Sequence, residues 1–358
     1  MQDLLKPDRV LIGSTQTPSS LAAAMMLKEL YATWVNPEKI LLIKCCSAEL
    51  AKLVANAMLA QRISSINSIS AICERSGANI AEVSEAVGLD TRIGSEFLKA
   101  GLGFGGSCFK KDILSLIYLA KALNLPEVAC YWQQVLDMNH WQHTRFVERI
   151  LTCLHGTLVD KKIAILGYAF KQNTSDTRES LTKDVIKLLL VERPREIAIF
   201  DPRCRSEDIK MELQRLAASS STQLMKPDGS LKVYTSPYEA CCDSNAVLLL
   251  TEGDMLRYPP VDIVHSSLLD GNFDDNKLYR EEPPCPENCL DCERKGSQEQ
   301  EVNEDFDWMR VARSMRTPKW VFDGRQLVDV SEMEKLGFRV EAIGKPTSRT
   351  NDWFHSAI

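Results

Sequence analysis

The chain has 358 residues, 44% hydrophobic and 26% charged, with 43 Lys and Arg against 49 Asp and Glu for a net charge of -6. This length suits two domains, or three small ones, of ordinary soluble composition. An acidic balance argues against nucleic-acid binding, which needs basic surface, and no apolar run approaches the roughly 18 residues of a membrane helix.

The opening MQDLLKPDRV lacks the charged n-region and apolar h-region of a signal peptide. Twelve cysteines in a long chain without an export signal therefore point to a reducing, cytoplasmic compartment rather than a disulfide framework. Residues 9–13 (RVLIG) and 39–43 (KILLI) are strand-like, and a helical stretch from Ser20 to about Thr33 separates them. Two strands around one helix make half of a βαβ sheet with unpaired edges.

From Ser47 to about Ala100 the pattern is helical. A glycine-rich break, GLGFGGS, follows, and then a single long helix is predicted from Phe109 to His155, kinked at Pro126. Its second half carries Tyr131, Trp132, Val135, Met138, Trp141, Phe146 and Ile150, an apolar surface suited to another chain or a second domain. His140 and His143 share this helix, but no third ligand lies nearby, so no metal site is expected there.

After Gly156 the composition changes. Strands are predicted at 162–167, 196–201, 232–234, 246–250 and 320–322, alternating with helical stretches such as TRESLTKDVIKLLLVE. That alternation is the signature of a doubly wound parallel sheet. Residues 271–308 hold twelve acids and four bases, a net of −8 that leaves the rest of the chain at +2. This acidic stretch lacks apolar periodicity and reads as a long loop. Without it the protein is slightly basic and suits an anionic ligand. Cys285, Cys289 and Cys292 within it resemble a zinc knuckle, but supply three ligands where a structural site takes four.

Three constellations carry chemistry. Gly101-Leu-Gly-Phe-Gly-Gly106 satisfies G-x-G-x-x-G, yet no strand precedes it and no acid lies about 20 residues on, so it is not a dinucleotide fingerprint. Its glycines instead allow close backbone approach to a ligand, with amides free to point at it. Ser107 reads as the N-cap of the next helix. That puts Cys108 in the first turn, where the helix dipole and Lys110 and Lys111 favour a thiolate, and Asp112 one turn further on. A thiolate beside a carboxylate suits a nucleophile with an assisting base; a buried structural cysteine is the bland alternative.

Lys52 and Asn56 are spaced i, i+4 in an otherwise apolar helix, as a pair that stabilises an oxyanion or as a solvated stripe. Finally, the strand ending at Gly167 leads through Lys171 and Arg178 into a helix, placing cations and a helix N-terminus at the carboxyl end of a central strand, unless it is an ordinary βα turn.

At GLGFGGSCFKKD the sequence resembles the UDP-glucose 6-dehydrogenases of the UDP-glucose/GDP-mannose dehydrogenase family. The stretches ELAKLVANAMLAQRISSINSISAICE, LNLPEVACYWQQVLDMN, KKIAILGYAFKQNTSDTRES, SPYEACCD and FDGR (322–325) are similar to that family in its order. The resemblance covers nearly the whole chain outside 271–315. It implies an α/β protein made of three parts: a residual βαβ piece of an N-terminal Rossmann domain (1–46), a helical central dimerisation and catalytic domain (47–155), and a C-terminal Rossmann-like UDP-sugar-binding domain (156–358) with an acidic insertion.

The implied activity is oxidation of UDP-glucose to UDP-glucuronate by two NAD, through a thiohemiacetal and then a thioester on Cys108. Lys52 and Asn56 resemble the pair that supports the reacting oxygen, and Asp112 the aspartate that positions or deprotonates the water. Phe97, Lys99, Gly101, Gly103, Phe104 and Gly105 resemble the sugar and pyrophosphate pocket, and Phe170, Lys171 and Arg325 further substrate contacts. Arg92 resembles an arginine that reaches a neighbouring subunit's site. Cys108 and Arg178 resemble cofactor contacts. A homodimer through the central helix is implied, as is a possible higher oligomer, with no metal, nucleic acid or membrane partner.

Family members also carry a full N-terminal cofactor domain, of which only the last βαβ piece is expected in this chain. Two other readings therefore accompany the dehydrogenase: a non-catalytic, dimerising UDP-sugar-binding protein, and a dehydrogenase of another nucleotide sugar, such as GDP-mannose or a UDP-N-acetylhexosamine.

Overall fold

A computed structural model describes residues 2–169, 177, 179–218, 229–258 and 306–346. The predicted acidic loop, with Cys285, Cys289 and Cys292, lies outside the described residues, as do Phe170, Lys171 and Arg178. Among the described residues, no helix is long and apolar enough to cross a membrane.

The chain opens with a short helix α1 (Gln2–Leu5), then β1 (Val10–Ser14), α2 (Pro18–Tyr31) and β2 (Ile40–Lys44). The two strands pair in parallel, Val10 opposite Ile40, as the half-βαβ reading predicts. Helix α2 starts earlier than Ser20 because Thr17 caps it, accepting the Ser20 N–H, and Pro18 supplies a helix-ready φ at the first position.

Helix α3 (Cys45–Ser76) follows β2 directly and ends at Gly77, which takes φ +82. After α4 (Ile80–Gly88) and the glycine loop come α5 (Ser107–Ala122) and α6 (Pro126–Cys153). The single kinked helix predicted over 109–155 is thus two separate helices. Pro126 lacks an N–H and restricts the residue before it, so it begins α6 rather than bending a continuous helix, and Leu125 sits at φ −115, ψ 70. Ser107 is likewise not the cap of α5 but its first residue; Gly106, at φ +83, holds the cap position.

Helices α3, α5 and α6 bury Ala57, Ala60, Ile113, Ile117, Ala129 and Val135 against one another. Towards its C-terminal end α6 changes partners: Phe146, Val147, Ile150 and Cys153 join the core of the second sheet. A boundary drawn after residue 155 therefore leaves the last turns of α6 in that sheet's core. Of the apolar residues marked on this helix, Val135, Phe146 and Ile150 are buried within the chain, while Tyr131 and Trp141 face outward.

The second sheet is built from β3 (Lys162–Leu166), β4 (Glu196–Phe200), β5 (Leu231–Val233), β6 (Ala246–Leu249), β7 (Trp320–Asp323) and β8 (Arg339–Ala342). All are parallel, in the order β5-β4-β3-β6-β7-β8. Helices α7 (Leu181–Val191), α8 (Ser206–Ala218), α9 (Pro237–Cys241), α10 (Trp308–Ser314) and α11 (Val330–Lys335) connect the strands.

Alternate strand residues serve the two faces. Ile163 and Ile165 pack with α6 and α7 on one side, and Ala164 and Leu166 with Trp308 and Val311 of α10 on the other. Burial on both sides is why β3, β4 and β6 read as continuous apolar runs. Strand β8 has no counterpart in the sequence reading. It lies at the edge, and its mixed Arg-Val-Glu-Ala composition hides it.

Candidate active site

Lys52, Asn56 and Asp112 meet between α3 and α5. Lys52 Nζ donates to Asp112 Oδ2 at 2.5 Å, and Asn56 Nδ2 donates to the same oxygen at 2.6 Å. The i, i+4 spacing on α3 puts both donors on the face that α5 covers. Lys52 remains 55% exposed while the Asp112 side chain is fully buried.

Burial pushes the Asp112 pKa up, but hydrogen bonds from Lys52 and Asn56, with the charges of Lys52 and Lys111, outweigh it and hold the carboxyl below the usual range. Its Oδ1 takes no hydrogen bond, and Lys111 Nζ stands 3.4 Å away. The carboxylate is therefore charged and fixed, one helical turn after Cys108. Cys108 is exposed at the second position of α5. An aromatic chain flanks it: Phe109 meets Phe104 and Phe97 edge-on, at 5.8 and 6.4 Å between ring centroids.

The glycine loop departs from the sequence reading in one respect. Four of the amides expected to point at a ligand are committed within the protein. Gly101 N–H donates to Asn67 Oδ1, Phe104 N–H to Asn139 Oδ1, Leu102 N–H to the Gly324 carbonyl and Gly106 N–H to the Glu179 carbonyl. Asn139 Nδ2 returns a bond to the Phe104 carbonyl, and Gln142 Nε2 donates to the Gly101 carbonyl.

The glycines are needed for close packing. Gly103 sits at φ +121, where a Cβ would come within 2.4 Å of Asn139 Oδ1, and a Cβ on Gly105 would come within 2.9 Å of the Glu179 carbonyl. The loop is thus a wedge clamped between α3, α6 and the sheet. Sequence reasoning missed Asn67, Asn139 and Gln142. Their signal is an amide side chain on the buried face of an apolar helix, where it needs a partner.

At the carboxyl end of the sheet, Arg325 follows β7. Asp323 accepts the N–H groups of Arg325, Leu327 and Val328 and so shapes the turn. The guanidinium donates from Nε to the Leu250 carbonyl and from Nη1 to the Gly103 carbonyl. Burial lowers its pKa, and the nearby charges of Glu252 and Asp323 oppose that. Lys99, in the segment leading to the glycines, pairs with Glu252 at 3.2 Å. Phe97 is exposed at φ +62. Arg92 stands apart from these groups, 86% exposed and held by Asp90 at 2.6 Å.

The model of the UDP-glucose/GDP-mannose dehydrogenase family, central domain, matches residues 46–141, and that of the same family's UDP binding domain matches residues 164–273. Together the two matches cover more than half of the chain. The chain belongs to the UDP-glucose/GDP-mannose dehydrogenase family.

Within that family it is 43% identical over 350 residues to UDP-glucose 6-dehydrogenase of Mus musculus, a match covering 97% of this chain and 61% of the mouse protein. It is 41% identical over 350 residues to UDP-glucose 6-dehydrogenase of Drosophila melanogaster, covering 98% and 63%. In three dimensions it is similar to a UDP-glucose dehydrogenase from Pyrobaculum islandicum, with a TM-score of 0.65, 26% identity and coverage of 96% of this chain and 60% of that one. The chain thus spans about 60% of the length of these relatives.

The described residues do not by themselves fit the NAD that a dehydrogenase of this family implies. The acid at the end of β4, where a doubly wound sheet holds a ribose, is Asp201. Its carboxylate already accepts the N–H groups of Tyr168, Ala169, Arg203 and Cys204. Gly13, the glycine of the N-terminal βαβ unit, packs against Cys45 and Ala48, which a Cβ would meet at 3.0 and 3.1 Å. The Asp201 carboxylate is thus already committed to backbone donors, and the Gly13 face to Cys45 and Ala48.

Proposed function

We propose that this protein takes part in the oxidation of UDP-glucose to UDP-glucuronate, with Cys108 as the nucleophile and NAD as the hydride acceptor. One observation carries the reading: Lys52, Asn56 and Asp112 converge one helical turn from the exposed Cys108. Cys108 Sγ bonds to the C6 carbonyl carbon of the sugar aldehyde, and the carbonyl oxygen takes up the proton as the thiohemiacetal forms.

Lys52 and Asn56 present N–H donors beside that oxygen, and Asp112 holds both in place through its Oδ2. NAD, when bound, would accept the C6 hydride whose loss turns the thiohemiacetal into a thioester. Water then adds to that carbonyl carbon, the C–S bond breaks and Cys108 is released, one water proton going to the thiol and the other to solvent. Phe97, Lys99, the Gly101–Gly105 loop and Arg325 hold the nucleotide sugar, together with Phe170 and Lys171. Arg178 serves the cofactor side and Arg92 a neighbouring subunit. The outward Leu114, Tyr118 and Leu119 of α5 and Val128 and Tyr131 of α6 support a homodimer through this helical layer.

A second reading is favoured by Gly13 of the N-terminal βαβ unit, which packs against Cys45 and Ala48: a UDP-sugar-binding protein that dimerises and transfers no hydride. Incubation of the chain with UDP-glucose and NAD, followed at the NADH absorbance, separates the two. Turnover that Cys108→Ser abolishes supports the dehydrogenase. Calorimetric binding of UDP-glucose without turnover supports the binding protein, and absence of both refutes the site.

A further inference from the structure

The strand order reverses between β3 and β6, and in such sheets ligands bind in the crevice beyond the carboxyl ends at that point. Thr251, just past β6, ties the ends of these two strands together by donating its hydroxyl to the Ala169 carbonyl at 2.7 Å. Glu252 is the next residue, and its Oε1 lies 3.2 Å from Lys99 Nζ. The charge of Glu252 also acts on Arg325, whose guanidinium reaches back to the Gly103 carbonyl of the glycine loop.

Glu252 differs from its neighbours at this end of the sheet. Asp201 and Asp323 are saturated by backbone amides, four and three respectively, and act as turn clamps. Glu252 instead spends its charge on Lys99, in a pair whose side chains are 46% and 28% exposed. Pairs this open contribute little to stability. What the pair does is keep a carboxylate among the cations that the proposed function gives to a diphosphate.

We propose that Glu252 is the resident counterion of this crevice, and that an anionic nucleoside diphosphate must displace it from Lys99 to bind. The inference rests on the reading of Lys99 and Arg325 as nucleotide-sugar ligands. Glu252 then lowers the affinity for diphosphates and spares uncharged ligands.

The test is calorimetry on the full chain with UDP, UDP-glucose and uridine, using the native protein, Glu252→Gln, Lys99→Ala, Arg325→Ala and the double variant Glu252→Gln/Lys99→Ala. Glu252→Gln keeps the shape and removes the charge. It should tighten UDP and UDP-glucose by about two- to fivefold, the range of a half-exposed ion pair. Uridine should be unaffected, and the gain should shrink in the Lys99→Ala background. Unchanged or weaker UDP binding by Glu252→Gln, or equal tightening of uridine, overturns the proposal. If Lys99→Ala and Arg325→Ala both bind UDP as tightly as the native chain, the underlying site reading fails as well.

Discussion

Lys52 and Asp112 are 60 residues apart in sequence and 2.5 Å apart in the fold, one half-exposed on α3 and the other fully buried on α5. The ion pair ties together the two helices that present the donors and the nucleophile. Asp112→Asn removes the charge while keeping the shape, and it should lower stability at pH 7 by about 1.5–3 kcal/mol, the scale of a hydrogen bond to a charged group. Because the folded pKa of Asp112 is lowered, its contribution is complete above the unfolded value near 3.9 and is lost as pH falls through the folded value. Melting curves from pH 7 to pH 2 should therefore show a shallower acid limb, confined to the part below about pH 4, for Asp112→Asn than for the native chain.

His143 gives a second acid limb in a different window. It is buried on α6 with neither ring nitrogen hydrogen-bonded, and burial lowers its pKa to about 4. The Asp184 charge opposes this, and those of His140 and Arg325 reinforce it. The neutral form is the folded one, so its stabilisation is complete above the unfolded value near 6.5 and is lost as pH falls from there towards 4. The loss amounts to about 3 kcal/mol at most. His143→Leu should show a smaller drop in melting temperature between pH 7 and pH 5 than the native chain.

Asn139 satisfies both polar groups of Phe104 with one side chain. Asn139→Ala leaves a buried N–H and a buried carbonyl unpaired, which should cost about 2–4 kcal/mol. Urea unfolding measures this directly, and a change below about 1 kcal/mol would mean that water replaces the amide.

Gly103 and Gly156 both have positive φ, at +121 and +74, but a Cβ on Gly156 meets nothing within 4 Å, whereas on Gly103 it meets Asn139. Gly156→Ala should lose only the backbone term, about 1 kcal/mol, and Gly103→Ala clearly more. Equal losses in denaturant titrations would show that the loop yields to accommodate the methyl group.

Much of this protein could be read from single stretches of sequence. The apolar runs IAIL, IAIF and AVLL announce strands buried on both faces, because such strands need no polar alternation. Glycine, serine and lysine around Cys108 announce a turn into a helix, and Lys52 and Asn56 a shared helix face. Local rules misjudged the places where one residue type has two uses. Pro126 starts a helix as readily as it kinks one, and the edge strand β8 has the mixed composition of a loop.

Local sequence set most of the element types, though not β8 or the break before Pro126, together with the parallel sheet and the kinds of groups available for chemistry, since periodicity and side-chain chemistry are local properties. Tertiary structure alone decided which groups meet. It brought Asp112 under Lys52 and Asn56 and spent the N–H groups of Gly101, Leu102, Phe104 and Gly106 on Asn67, Gly324, Asn139 and Glu179. It also filled Asp201 with backbone donors and set Glu252 against Lys99. Those outcomes depend on contacts between distant segments, and burial requires every polar group there to find whichever partner the packing places within reach.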